Sequence, residues 1–300
     1  MVLSMNNHLA IGFIGFGEAG FHIANGLHGA GVTELFAYDI NAETPGLGER
    51  IQQRAKDSGT SLVDSSSGLA RTSNVLLSTV TANAACEAAE QIAPFLAAQH
   101  FYADLNSVSP AVKQAVERII ARRGARFVEA AIMSPVIPHG QRVPMLLGGQ
   151  NAPEFARLLS PYGMRLEIVS AEIGMASATK MCRSIIVKGL EALVLECVLA
   201  ASSYGVEERV FASLDETFPG FKWDEKANYM VSRVVEHGER RAREMEEVSE
   251  TLRALGIDPI MSEATARRQD WCARFGLREQ FGGKASQNYR ETVRAIIGSS

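Results

Sequence analysis

Ala10-Ile11-Gly12-Phe13-Ile14-Gly15-Phe16-Gly17-Glu18-Ala19-Gly20 is the stretch on which the reading of this chain turns. A short apolar run enters Gly15-Phe16-Gly17-Glu18-Ala19-Gly20, which fits G-x-G-x-x-G. A helix-like segment follows from Phe21 to Ala30, then a second apolar run, Glu34 to Tyr38, that ends in Asp39. In a strand–turn–helix–strand unit each glycine has its own role. Gly15 permits the tight turn, Gly17 lets a pyrophosphate approach the backbone, and Gly20 allows helix and strand to pack closely. The helix start offers free N–H groups and a positive dipole end to phosphates. Gly15, Phe16, Gly17, Glu18 and Ala19 are therefore expected at a dinucleotide, with Asp39 on the ribose diol. The glycine pattern alone is weak, and the strand, helix and acid around it give it weight. Asp39 favours NAD, since a carboxylate repels a 2′-phosphate. Arg50 and Arg54 downstream keep NADP open as the alternative.

The chain has 300 residues, enough for two domains, and a formal net charge of −4, which gives no reason to expect a nucleic-acid partner. Cys86, Cys182, Cys197 and Cys272 are scattered without metal-ligand spacing. No metal is expected, Cys182 and Cys197 read as buried thiols, and a reducing cytoplasm is the simplest setting. Met1 to Leu9 lacks a charged start and a long apolar run, so no leader is expected, and no stretch is long enough to cross a membrane.

Further along, strand-like and helix-like runs alternate. Strands are expected at Asn74 to Val80, Phe101 to Leu105, Ala125 to Ala130, Val143 to Leu147 and Met164 to Val169. Ser109 can cap a helix that begins at Pro110. The expectation is an α/β fold: a doubly wound, mostly parallel Rossmann sheet over residues 1–170. Residues 171–300 read as all-helical, entered by a long helix at about 175–203, with further helices near 206–215, 228–255 and 259–275. Ligands in such sheets lie at the C-terminal strand ends. That brings together Val80-Thr81, Asn106-Ser107 and Ala131-Ile132-Met133.

On the long helix, Ala178, Met181, Cys182, Ile185, Ile186, Leu193 and Cys197 form an apolar stripe, while Lys180, Ser184 and Lys188 recur every four residues on another lane. Spacing fits two arrangements. One is a solvated lysine-bearing face. In the other, Lys180 meets the ligand edge as a general acid/base, its pKa lowered by burial or by Arg183 and Lys188. A cation in the first turns opposes the helix dipole, which draws attention to Lys180. His237, Arg240, Arg241 and Glu244 share one helix face. They fit either a salt-bridged exposed face or an anion-recognising patch. His139 reads as a loop residue, and Trp223 and Trp271 as core or interface aromatics.

These residues resemble the β-hydroxyacid dehydrogenases, relatives of 6-phosphogluconate dehydrogenase. The resemblance rests on the glycine turn, on Asp104-Leu105-Asn106-Ser107-Val108-Ser109-Pro110, similar to the family's D-x-S-T-x-x-P, and on Gly174 followed by Lys180, similar to its G-x-x-x-K-x-x-x-N helix. His237 to Met245 resembles the branch with a C-terminal domain of unknown function, and Arg243-Glu244-Met245 stands where the family has K-D-L. The resemblance implies hydride transfer between a nicotinamide and a hydroxy acid, with Lys180 as acid/base. Asn106, Ser107, Met133 and Ser184 would lie at an anionic small-molecule substrate, with Arg240 or Arg243 on its anion. It also implies that in a dimer one subunit's helical domain helps close the other's site. The long helix, whose apolar stripe must be covered, leads to the expectation of a homodimer or higher homo-oligomer. Two departures stand out. Glu129-Ala130-Ala131-Ile132-Met133-Ser134-Pro135 replaces D-A-P-V-S-G-G, and Ser184 replaces the asparagine. Imine reduction, a decarboxylating oxidation and a non-catalytic dinucleotide sensor are the alternative expectations.

Overall fold

The computed structural model describes residues 9–286 and 288–298. The leaderless reading of Met1 to Leu9 therefore lies outside the described residues except at Leu9. The chain divides into two compact units, 1–180 and 181–300, so the division falls ten residues beyond the boundary expected at 170.

In the first unit the elements are β1 (Ala10–Ile14), α1 (Glu18–Gly29), β2 (Glu34–Tyr38), α2 (Gly48–Asp57), β3 (Ser61–Leu62), α3 (Ser66–Thr72), β4 (Val75–Ser78) and α4 (Ala85–Ile92). They continue through β5 (Phe101–Asp104), α5 (Pro110–Ala121), β6 (Arg126–Ile132), α6 (Val136–His139), β7 (Pro144–Gly148), α7 (Ala152–Leu159) and β8 (Arg165–Ser170). Among the described residues the strands form one eight-stranded sheet in the order β3-β2-β1-β4-β5-β6-β7-β8. Neighbours pair in parallel except β6 with β7. The first six strands have the order of a dinucleotide-binding sheet, which reverses between β1 and β4. Both faces of the central strands are covered, so β1, β4 and β5 are buried along their whole length and read as apolar runs. Ser109 caps α5, its hydroxyl accepting the Val112 N–H, with Pro110 at the first helical position.

The second unit holds most of α8 (Met175–Tyr204), then α9 (Glu207–Thr217), α10 (Trp223–Ala254), α11 (Ile260–Ala273), α12 (Leu277–Gln280) and α13 (Tyr289–Gly298). Its core joins Leu195 and Val198 of α8 to Val231 and Val234 of α10, Cys272 of α11 and Tyr289 of α13. Trp223 belongs to this core, while Trp271 packs half-buried against Phe275.

Helix α8 corrects the simpler of the two readings of its lysine lane. Ser184, Lys188 and Glu191 are buried and Lys180 is half-buried, so the lane is not a solvated face. The opposite face carries Ile186 and Leu193, which are 64% and 55% exposed. Cys182 shares that face and is exposed, which overturns its expected burial, and Cys197 is half-buried. The physical reason is pairing: charged and polar partners on α10 and α11, among them Glu244, Arg241 and Gln269, cover the polar lane. Among the described residues, no helix is long and apolar enough to cross a membrane and no metal-binding cluster occurs.

Candidate active site

The glycine turn is held from two sides. Gly15 N–H donates to the Tyr38 carbonyl at 2.8 Å, and the Thr79 hydroxyl donates to the Gly15 carbonyl at 2.7 Å. Gly15 has φ +78°, and a Cβ there would stand 2.8 Å from Val80 Cγ1, so both conformation and space demand glycine. A Cβ on Gly20 would stand 2.8 Å from Thr79 Oγ1. On Gly17, which caps α1, it would meet nothing within 4 Å. The backbone at the helix start is therefore open, as a pyrophosphate requires.

Gly15, Gly17, Asp39, Val80 and Thr81 line one groove together with Asn41, Arg50 and Arg54. Asp39 is fixed within it: one carboxylate oxygen accepts Phe16 N–H at 2.7 Å and the other accepts Asn41 N–H at 2.9 Å. Phe16 thus contributes its amide to Asp39, while its ring is buried against Phe13. Glu18 and Ala19 lie in the first turn of α1, with Glu18 exposed. These residues fit a dinucleotide: an open helix start for the phosphates, a held acid for a ribose diol, and apolar walls.

The second half of the site is built at the C-terminal end of β5. Asp104 and Lys113 are both fully buried. Lys113 Nζ lies 3.1 Å from Asp104 Oδ1 and donates to the carbonyls of Asp104 at 2.7 Å and Ala130 at 3.3 Å. Asp104 Oδ1 also accepts Asn106 N–H at 2.8 Å, and Asn106 Nδ2 donates to Ser78 Oγ at 2.9 Å. This network fixes the turn that presents Ser107. Lys180 Nζ donates to Ser107 Oγ at 3.0 Å. Met133 packs against Ala131, Leu146 and Ala176. His139, expected in a loop, is instead the exposed last residue of the short helix α6.

Lys113, Ser78 and Thr79 take part in this site although sequence reasoning assigns them no role. Lys113 does leave a signal: it shares the i, i+3, i+7 stripe of α5 with buried Val116 and Ile120, and a lysine on such a stripe needs a buried acid.

In the second unit, Lys188 Nζ donates to Ser184 Oγ at 2.9 Å and pairs with Glu244 at 3.0 Å. Ser184 is thus committed to Lys188. Arg240 pairs with Glu244 at 2.7 Å and Arg243 with Glu246 at 3.2 Å, both arginines being exposed. An anion there would have to displace a glutamate. The buried cation of this run is Arg241, paired with Glu191 on α8, which Gln269 also contacts at 3.5 Å. Burial, then the charges of Arg233, Arg240, Arg241 and Arg278, hold His237 down to about 4, so it is neutral at pH 7.

Residues 10–153 match the NAD binding domain of 6-phosphogluconate dehydrogenase, and residues 201–272 match a domain of unknown function, DUF1932. A solved conserved hypothetical protein from Sinorhizobium meliloti 1021 is 38% identical, with 97% of this chain and 96% of that one covered and a TM-score of 0.79. The conserved protein MTH1747 of unknown function, described as structurally similar to 3-hydroxyacid dehydrogenases, is 31% identical over 92% of this chain and 100% of that one, with a TM-score of 0.72. The 3-hydroxyisobutyrate dehydrogenase of Mycobacterium tuberculosis shares the fold at 14% identity and a TM-score of 0.73, over 95% of this chain and 99% of that one. The first unit is a pyridine-nucleotide-binding domain, and the chain belongs to the β-hydroxyacid dehydrogenase and 6-phosphogluconate dehydrogenase-like family, in the branch that carries this C-terminal domain of unknown function.

Proposed function

We propose that the protein is an NAD-dependent oxidoreductase acting on the CH–OH group of a hydroxy acid or related anionic alcohol. The observation that carries this reading is the Lys180–Ser107 contact at 3.0 Å, just past the C-terminal end of β5, which β4 separates from the strand that enters the glycine turn. A bound nicotinamide supplies the hydride acceptor or donor. Lys180 takes the hydroxyl proton in oxidation and returns it in reduction. Ser107 and Asn106 orient the hydroxyl, and the turn network behind them keeps that geometry fixed without solvent. The exchange balances: the alcohol loses a hydride to the cofactor and a proton to the amine. Apolar Ile132 and Met133, in place of a glycine-rich carboxylate cradle, favour a substrate less polar on that side than a short 3-hydroxy acid.

The preference for NAD is supported by Asp39, whose two engaged oxygens hold its charge in the groove. Calorimetry is expected to find NADH bound at least about tenfold more tightly than NADPH, since like charges in contact cost several kcal/mol. Tighter NADPH binding would reverse the assignment to Arg50 and Arg54. The reaction itself is tested by a panel of hydroxy acids followed at the nicotinamide absorbance. Cofactor binding without turnover on any of them would leave a dinucleotide sensor.

A homodimer completes this reading. Cys182, Ile186 and Leu193 share one exposed face of α8, and a second copy can cover the stripe with the same patch. Sedimentation is expected to give a dimer, and the double variant Ile186→Glu with Leu193→Glu is expected to shift it to monomer. A wild-type monomer at working concentration would remove the proposal.

A further inference from the structure

Helix α8 begins after Gly174, which has no side chain to cap it, and it carries Lys180 near its positive end. Both facts are unfavourable for an isolated helix. The cap comes instead from a strand. Glu129 of β6 is fully buried, and its two oxygens accept Gly174 N–H at 2.6 Å and Ser177 N–H at 2.7 Å. Ser177 and Lys180 are three residues apart, on one face of the helix.

We propose that Glu129 is a positioning residue: by capping α8 from β6 it sets the Lys180 amine against Ser107. Glu129 stands in register with Asp104 on the neighbouring strand. Asp104 holds the turn that presents Ser107, so paired residues on adjacent strands each tie down one half of the Lys180–Ser107 contact. Lys113 links the two strands, reaching Asp104 and the carbonyl of Ala130, the residue after Glu129. The surroundings are shaped around this cap. A Cβ on Gly148 would fall 2.6 Å from Glu129 Oε2. Gly174 has φ +106° and lies so close to α5 that a Cβ would stand 3.2 Å from Pro110 Cβ. Gln114 donates to the Ile173 carbonyl at 3.2 Å. The residue that replaces the family's aspartate in D-A-P-V-S-G-G thus acts on the helix through its longer side chain.

The catalytic consequence rests on the acid/base role proposed for Lys180, whereas the cap itself does not. The test uses the full-length protein and two variants. Glu129→Gln keeps the shape but turns an N–H₂ towards one of the two N–H donors. Gly148→Ala keeps the carboxyl and displaces it, which guards against a Glu129 variant that fails to fold. Lys180 acetylation by acetic anhydride is followed against pH by mass spectrometry, alongside NADH binding. The expected result is a shifted Lys180 labelling profile with unchanged NADH affinity. On a responding substrate, kcat falls by about 10²-fold, the scale of an ångström-sized misplacement. A Lys180 profile identical to wild type in the folded variants overturns the proposal. Should Lys180→Met retain turnover, the acid/base reading fails, and the labelling result still decides the cap.

Discussion

Replacing Lys180 with methionine is expected to lower turnover by about 10²-fold or more, the usual contribution of a positioned general acid/base. NADH affinity is expected to stay unchanged. The two halves of the prediction follow from different parts of the first unit. The dinucleotide groove is lined by Gly15, Gly17, Asp39, Val80 and Thr81, which owe nothing to the amine. The amine instead meets Ser107 at the end of β5. Methionine keeps the length and most of the apolar stem of lysine, so the packing of the first turns of α8 is disturbed little while the proton carrier is lost. Turnover is measured by nicotinamide absorbance on whichever hydroxy acid responds, and affinity by calorimetry. Turnover near wild type would remove Lys180 from the chemistry, whereas a parallel loss of NADH affinity would assign it to the cofactor.

The elements legible from sequence are those whose signal is local. The glycine turn, the apolar strands and the Ser109-Pro110 helix start each need only their own neighbours, and they occur where the residues place them. Helix α10 begins at Trp223, five residues before the expected start near Asn228. The turn ahead of it is set by Lys222 at φ 57° and by Trp223 N–H bonded to Asp215, contacts that periodicity does not carry. Helices α12 and α13 are not among the expected elements. The first is a single turn, and the second buries Tyr289 and Val293 in a core made by distant segments. The lysine lane of α8 shows the same limit. Its four-residue spacing is correct, but which face is covered depends on Arg241, Glu244 and Gln269, about 50 to 80 residues further on. Likewise, one helix face offers His237, Arg240 and Arg241 as equals. Only the fold separates the buried, paired Arg241 from its exposed neighbour and from a neutral histidine. Glu129 is visible in the sequence as a departure from a family pattern, and its partners at Gly174 and Ser177 appear only once β6 lies beside the start of α8.

The largest stability effect is expected in the second unit. Arg241→Met should cost roughly 3–5 kcal/mol at neutral pH, the range for breaking a buried ion pair by removing one partner. The side chains of Arg241 and Glu191 are only 10% and 2% exposed, so neither charge regains water when the other is lost. The pH dependence has a definite sign. Burial raises the Glu191 carboxyl above its ordinary value of 4.5, against the opposing pull of Arg241, then Lys188 and Arg233. A carboxyl raised in the folded state binds its proton more tightly there than in the unfolded chain. Its contribution to stability is therefore complete below the unfolded value and is lost as pH rises through the folded one. Arg241 is the largest of the lowering influences, so its removal raises Glu191 further and carries that loss higher in pH. Urea unfolding should accordingly show a larger deficit for Arg241→Met at about pH 7.5 than at about pH 5, where Glu191 can take up a proton. Adding Glu191→Gln should restore much of the loss, because a neutral amide needs no countercharge. An equal deficit at both pH values, with no recovery in the double variant, would mean that the pair is not what holds α8 to α10.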